Sequence, residues 1–271
     1  MLWKNIAKLL LPQGIKSRIR QFLGIKEMTG LDSLYIYPDN WISQRKFYGQ
    51  YGEDLKLLPF FQNQRDGYFV EVGALEGIRF SNTYYFERLG WKGICVEPHP
   101  DYTDLLKNNC PGSIVVQAAV GKEDKKEVDF YINYRGSLST LDRGLESYFR
   151  LHYKPWFGGF KKIQVPLLTL NTILEQNRAP IPIDLISIDT EGTDADVLAG
   201  FDIGKYLPRV MVVEVSIRRE LIDEYMSKHG YVLACANPSN AIFCRNQHDA
   251  DIIRSINVVG TQCASRHPLD N

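Results

Sequence analysis

The chain of 271 residues has no surplus of either charge: 32 Lys and Arg stand against 32 Asp and Glu. Proteins that grip nucleic-acid phosphates generally carry a basic excess, so no nucleic-acid partner is expected. Cysteine is scarce, with five residues and no C-x-x-C spacing. That excludes a disulfide scaffold or a cysteine zinc site and reads as reduced thiols of a cytoplasmic protein. No apolar run approaches the roughly 20 residues of a membrane-spanning helix. Leu9-Leu10-Leu11 is too short for a signal-peptide core, and no small-residue cleavage site follows it. None of the five histidines has metal-ligand spacing, and there is no internal repeat or low-complexity tract.

Acids are missing from one place. Residues 1–26 carry Lys4, Lys8, Lys16, Arg18, Arg20 and Lys26 and no Asp or Glu. Leu2, Trp3, Ile6, Leu9, Leu10, Ile15, Ile19, Phe22 and Leu23 supply apolar faces in two short helical pieces, parted by Pro12 and Gly14. A basic amphipathic segment with a Trp suits the anionic inner face of a membrane. Docking on its own domain or on a second subunit, as a homo-oligomer, is the other reading. Residues 1–45 are expected to form an appendage, and 46–271 the main domain.

The densest information lies at Phe69-Val70-Glu71-Val72-Gly73-Ala74-Leu75-Glu76-Gly77. An apolar run ends in glycine, a second glycine follows four residues on, and Ser81-Asn82-Thr83 opens a helical run closed by Gly90. Strand, glycine turn and helix in this order form a nucleotide-type cofactor site at the carboxyl end of a first strand. Trp91 to Pro98 is the next strand, and it ends in Glu97, 26 residues beyond Glu71. An acid near that distance accepts hydrogen bonds from ribose hydroxyls. The glycines are spaced G-x-x-x-G, not G-x-G-x-x-G, and Glu76 inside the loop would repel a pyrophosphate. A cationic sulfonium with an amino-acid tail fits such a loop better than NAD does.

Strands and helices then alternate. Phe69–Val72, Gly93–Glu97, Ile114–Gln117, Leu185–Asp189 and Val210–Val215 read as buried parallel strands. Ser81–Leu89, Asp101–Asn108, Thr193–Ala199 and Arg218–His229 read as helices, Gln50–Phe61 as a preceding helix, and Tyr231–Ala236 with Ala241–Arg245 as a late pair. The pattern predicts a doubly wound, Rossmann-like α/β sheet. An insertion over 127–174 interrupts it, with strands at Val128–Tyr134 and Ile163–Leu170. Between them the aromatic run Tyr148–Phe160 suggests a lid over a site, its rings suited to sugar faces.

Ligands of such sheets bind outside the carboxyl ends of the strands. That rule gathers Glu71, Gly73, Glu97, Asp189, Glu191 and Glu214 on one rim. Asp189 and Glu191 could each serve as a general base, and Asp189 with Glu214 could hold Mg2+ or Mn2+. His152 in the aromatic run is a further candidate base. Capping of the helix near Thr193 is the structural alternative for Asp189 and Glu191.

Several motifs together carry a resemblance: Gln50-Tyr51-Gly52-Glu53-Asp54, Phe69 to Asn82, Gly90 to Pro98, Ala118-Ala119-Val120-Gly121, Ile183 to Gly192, and Val212 to Val215. In this order they are similar to the FkbM-type methyltransferases, a branch of the class I S-adenosylmethionine-dependent enzymes. The resemblance spans roughly 46–245. It implies an antiparallel final strand, S-adenosylmethionine as cofactor, and O-methylation of a sugar or glycan precursor in surface polysaccharide or glycoconjugate biosynthesis. A non-sugar natural product as acceptor, or a silent scaffold in a glycan-assembly complex, are the alternatives. The cofactor-binding set comprises Glu71, Gly73, Ala74, Gly77, Ser81, Asn82, Glu97, Pro98, Ala118, Ala119 and Asp189. Thr193 stands where many members carry His or another polar residue, so no His-based proton transfer is expected from that position.

Overall fold

The structure is a computed structural model that describes residues 47–257, apart from 63, 134–136, 153–158 and the side chains of 151 and 152. The N-terminal appendage, its membrane-facing reading and the centre of the aromatic run therefore lie outside the described residues. So does the side chain of His152, whose backbone closes a helix.

Among the described residues ten strands form two sheets. The larger contains β1 (Tyr68–Val72), β2 (Lys92–Val96), β3 (Ser113–Val116), β7 (Leu185–Ile188), β8 (Val210–Glu214), β9 (Val232–Ala236) and β10 (Asn240–Cys244). Its spatial order is β3-β2-β1-β7-β8-β10-β9. The first five strands of that order are parallel, and β10 runs antiparallel to both β8 and β9. This is the Rossmann-like sheet with an antiparallel final strand that the sequence implied.

The strands form here because both faces of each are covered. Along β7, Leu185 faces one apolar layer with Phe69, Trp91 and Cys95, while Ile186 faces the other with Val70, Ile94 and Met211. Alternate residues enter opposite cores, so the run is apolar except at Ser187, whose hydroxyl accepts from Asn82 Nδ2. Where four of these strands leave the core a glycine or an acid stands: Gly73 after β1, Glu97 after β2, Asp189 after β7, and Glu214 as the last residue of β8. The chain winds outward from β1 through β2 to β3 and then returns to β7 on the other side of β1. The crevice at that reversal is where ligands of such sheets bind.

The insertion folds as a second, three-stranded sheet of order β4-β6-β5, from Ala119–Val120, Phe160–Leu168 and Lys125–Asn133. Ala119, Phe130, Ile132, Val165 and Leu167 form its core. Two elements in this region depart from the sequence reading. Residues Arg143–His152 form a helix, α4, where an aromatic loop was expected. Asp142 starts it by accepting from Gly144 N at 2.6 Å and Leu145 N at 3.1 Å. The second is Leu170–Gln176 (α5), assigned by sequence largely to the insertion. Its Leu170, Ile173 and Leu174 are fully buried in the main core, so it is the helix that leads into β7. Before β1, helix α1 (Asp54–Phe60) is shorter than the sequence suggested, because Gln50–Gly52 form a turn. Among the described residues no helix is long and apolar enough to cross a membrane.

One contact fixes the crevice. Gly73 has φ +82°, and a Cβ placed on it would lie 1.7 Å from the Asp189 carbonyl oxygen. Asp189 N in turn donates to Val72 O at 3.0 Å. The ends of β1 and β7 can meet this closely only because residue 73 has no side chain. Gly73→Ala is expected to destabilise the fold by more than about 2 kcal/mol, from left-handed backbone strain and the forced separation of the strands. An unchanged denaturant midpoint in that variant would contradict this account.

Candidate functional site

A cavity of about 420 Å3 opens at the carboxyl ends of β1, β2, β7 and β8. Small-molecule sites typically span about 300–1,000 Å3. Gly73-Ala74-Leu75 forms one wall, Glu97, Pro98, Ala118 and Ala119 a second, and Asp189, Glu191 and Glu214 a third. Phe130, Leu141 and Phe149 of the insertion also line it.

The glycine turn is held from below. Gly73 N and Ala74 N both donate to Val96 O, at 2.9 and 3.1 Å. Leu75 N donates to Glu97 Oε2 at 2.9 Å, and His99 N to Glu97 Oε1 at 2.8 Å. Burial pushes the Glu97 carboxyl up to about 7 against the pull of these two bonds. Each oxygen keeps a lone pair after one bond, so Glu97 can hold the loop and still accept from a diol. Ala118 and Ala119 are small and leave room beside it.

Glu71 and Ser81 do something different from the cofactor binding expected of them. Glu71 accepts from Ser81 Oγ at 2.9 and 3.0 Å, from Asn82 N at 3.1 Å and from Thr83 Oγ1 at 2.8 Å. Burial raises its carboxyl to about 7 against those bonds. The pair touches the cavity wall, but its polar atoms are spent on tying the loop after β1 to the strand. Asn82 donates to Ser187 Oγ at 3.1 Å, and its Oδ1 is buried on the wall without a hydrogen-bond partner.

Two other expectations for this loop are corrected. Gly77 does not line the cavity: a Cβ there would lie 2.6 Å from Leu106 Cδ1 and 2.7 Å from Cys110 Sγ. Its φ of +85° and its missing side chain serve packing against α3 (Pro100–Asn109). Glu76 does not present a bare charge to a ligand. Arg79 binds it through Nε and, at 2.7 Å, through Nη2. The repulsion of a pyrophosphate inferred from Glu76 therefore lapses.

The acids after β7 divide by role. Asp194 accepts from Thr190 N at 2.8 Å, Thr190 Oγ1 at 3.0 Å and Gly192 N at 3.2 Å. It ties the turn, which leaves Asp189 and Glu191 on the cavity wall without that duty. Glu191 has φ +54°, a strained backbone for a residue with a side chain. Thr140 of the insertion holds it in place, donating Oγ1 to the Glu191 carbonyl at 2.9 Å. Burial, then the charge of Asp194, raises Asp189 to about 7. Burial and the charges of Asp189 and Asp194 push Glu191 well up. Glu214 is pushed up by burial and by Asp189, Asp194 and Glu191. It accepts the Ser216 hydroxyl on Oε1 and lies within hydrogen-bond reach of the Asp189 carboxyl, and among the described residues no amide or hydroxyl donor meets its buried Oε2.

Among the described residues no group of three or more His, Cys, Asp or Glu side chains is arranged to hold a metal ion. The Mg2+ or Mn2+ expected at Asp189 and Glu214 thus lacks a ligand set. Residues to which the sequence reading gave no role at the site brace its surroundings. Glu53 accepts from Asn237 Nδ2 and Asn240 Nδ2, both at 2.7 Å, and from Tyr51 N at 2.9 Å. Asp194 and Thr140 likewise carried no visible signal. His99 caps α3, accepting from Asp101 N at 3.2 Å.

The buried acids make stability depend on pH. Asp54, Glu71, Glu97 and Asp189 are each raised to about 7, first by burial. Unfolded, such groups ionise near about 4. Between these values the folded chain holds protons that the unfolded chain has released, so stability falls as pH rises through the window. Acids with lowered values, such as Asp249 beside Arg209, act below the window. The ligand-free protein is expected to melt at a higher temperature at about pH 5 than at about pH 8. A melting temperature that rises across this range would contradict the buried placement.

The chain resembles known proteins in the same terms. The family model of the Methyltransferase FkbM domain matches residues 71–233. A TehB-like SAM-dependent methyltransferase from Corynebacterium glutamicum has 13% identity and a TM-score of 0.36, over 71% of this chain and 88% of that one. An O-methyltransferase from Bacillus cereus in complex with SAH has 14% identity and a TM-score of 0.39, over 89% and 94%. A putative RNA methyltransferase from Pyrococcus horikoshii has 14% identity and a TM-score of 0.38, over 81% and 98%. No curated protein matches the chain. The family match covers more than half of the sequence and takes in the glycine turn, Glu97 and the D-x-E-G turn, and the chain belongs to the FkbM methyltransferase family.

Proposed function

We propose that this S-adenosylmethionine-dependent methyltransferase methylates a hydroxyl group of a sugar or glycan precursor. The observation that carries the O-methylation reading is the placement of Asp189 and Glu191 on the cavity wall beside the glycine turn, with the turn's structural work done by Asp194. The rings of Phe130 and Phe149 on the same cavity support a sugar, whose apolar faces pack on aromatic surfaces.

The residues present fit the cofactor. The Gly73-Ala74 backbone has no bulk to keep the methionine moiety away, Glu97 retains lone pairs for ribose hydroxyls, and Ala118 and Ala119 leave space for a base. Bound S-adenosylmethionine supplies an electrophilic methyl group on a positively charged sulfur. The protein must then orient the acceptor hydroxyl and take its proton as the new oxygen–carbon bond forms. Asp189 and Glu191 are the candidate bases. Burial brings Asp189 to about 7, near the value at which a general base works best at neutral pH. No step requires a metal.

Two measurements test this reading. Asp189→Asn and Glu191→Gln should each lower turnover at least about tenfold while cofactor affinity changes little. Full activity in both variants would remove the assignment. Glu97→Ala should weaken cofactor binding by about 1.5–3 kcal/mol, the contribution of hydrogen bonds to a charged group, and Glu97→Asp should lose less. Unchanged affinity in Glu97→Ala would mean that the ribose is held elsewhere.

A further inference from the structure

The charge of the cavity is lopsided. Among the described residues that line it, Glu71, Glu97, Asp189, Glu191 and Glu214 are acids, and Arg79 is the one cation. Arg79 is already paired with Glu76. Glu71 is saturated by the Ser81-Asn82-Thr83 loop, and Glu97 is bound by two backbone donors. That leaves Asp189, Glu191 and Glu214 at one end, with Asp194 behind them.

A second observation points the same way. Among the described residues Glu214 Oε2 and Asn82 Oδ1 are buried, belong to residues on the cavity wall and meet no amide or hydroxyl donor, and the Glu214 carboxyl lies within hydrogen-bond reach of the Asp189 carboxyl. Their residues are 8% and 4% exposed. Both atoms are acceptors, and a buried acceptor without a donor costs about 1–3 kcal/mol. A ligand that brings donors would remove that cost. S-adenosylmethionine carries two positive charges and one negative, a net charge of only +1, and a further cation beside these raised carboxyls would favour their ionised form. The acids do not converge on a point as metal ligands do. Neighbouring carboxyls that share no metal suit an organic cation with several N–H donors.

We infer that the methyl acceptor carries an ammonium group, as an amino sugar does, and that Glu214 receives it at the β8 end of the cavity. The inference rests on the proposed sugar O-methylation, and it concerns recognition: the hydroxyl remains the group methylated. Glu214 Oε1 stays with the Ser216 hydroxyl, and Oε2 accepts from the ammonium. Asp189 and Glu191 are then left to the reacting hydroxyl.

The test uses three sugars on one scaffold with positive, neutral and negative charge: glucosamine, N-acetylglucosamine and glucuronic acid. Each is titrated at neutral pH into the full-length protein saturated with S-adenosylhomocysteine. Glucosamine should bind at least about tenfold more tightly than the other two, the scale of one charge-assisted hydrogen bond. Glu214→Gln should abolish that preference and leave the affinities for S-adenosylhomocysteine and S-adenosylmethionine within about twofold, which also reports an intact fold. Equal binding, absence of binding by all three sugars, or a preference that survives Glu214→Gln overturns the inference. A loss of S-adenosylmethionine affinity in that variant also overturns it, because the cofactor's own ammonium would then occupy Glu214. Failure of S-adenosylhomocysteine to bind the wild-type protein is a separate outcome. It would reject the proposed function itself and, with it, this inference.

Discussion

The site depends on how closely two parallel strands approach where their connections diverge. β1 and β7 pair in register up to Val72 and Ile188. One residue further, the Asp189 carbonyl occupies the space that a side chain on Gly73 would fill. This contact sets the glycine turn and the catalytic candidate Asp189 against each other before any ligand arrives. Glu97 enters the same arrangement from β2, because the turn that begins at Gly73 ends with Leu75 N on its carboxylate. A methyl donor lying on that turn would have its ribose and its reacting end addressed by residues whose spacing is fixed by the backbone.

The acids around this contact differ in how far their bonding is satisfied, and that sorts them better than their positions do. Glu71 and Asp194 are filled by hydroxyl and backbone donors, so they tie loops. Glu97 is half filled. Glu214 has an oxygen that no amide or hydroxyl donor among the described residues meets. Buried carboxyls in this condition hold protons more tightly than usual and gain from any ligand that supplies positive charge or N–H and O–H groups. The insertion contributes to the same end of the cavity through Thr140, which holds the strained Glu191 backbone.

Much of the fold was legible because its strands are covered on both faces and therefore read as largely apolar runs ending in glycine or an acid. β1, β2, β7 and β8 all have that signature, and the antiparallel β10 came with the family resemblance. The two helices in or beside the insertion were less visible. α4 starts at an ordinary aspartate cap ahead of the aromatic run and extends into it, and α5 shows only one apolar turn, Leu170, Ile173 and Leu174, which reads equally well as the end of a strand. At the site, sequence spacing could place acids at strand ends but not say which way a side chain turns. Glu76 turns to Arg79, Gly77 serves α3, and Glu71 is consumed by its own loop. Asp194, not Asp189 or Glu191, ties the turn that precedes the helix beginning at Asp194, and no spacing rule distinguishes the three. The expected metal finds no support among the described residues for a related reason: two strand-end acids supply charge, but convergence on a point is a property of three dimensions.

The central claim is that the crevice between β1 and β7 holds S-adenosylmethionine. Isothermal calorimetry of the purified protein with S-adenosylmethionine measures this directly. The account predicts saturable binding of one molecule per chain, lost when Gly73 is replaced by valine and competed by S-adenosylhomocysteine. Absence of heat and of competition at near-millimolar cofactor, on protein shown to be folded, would contradict it.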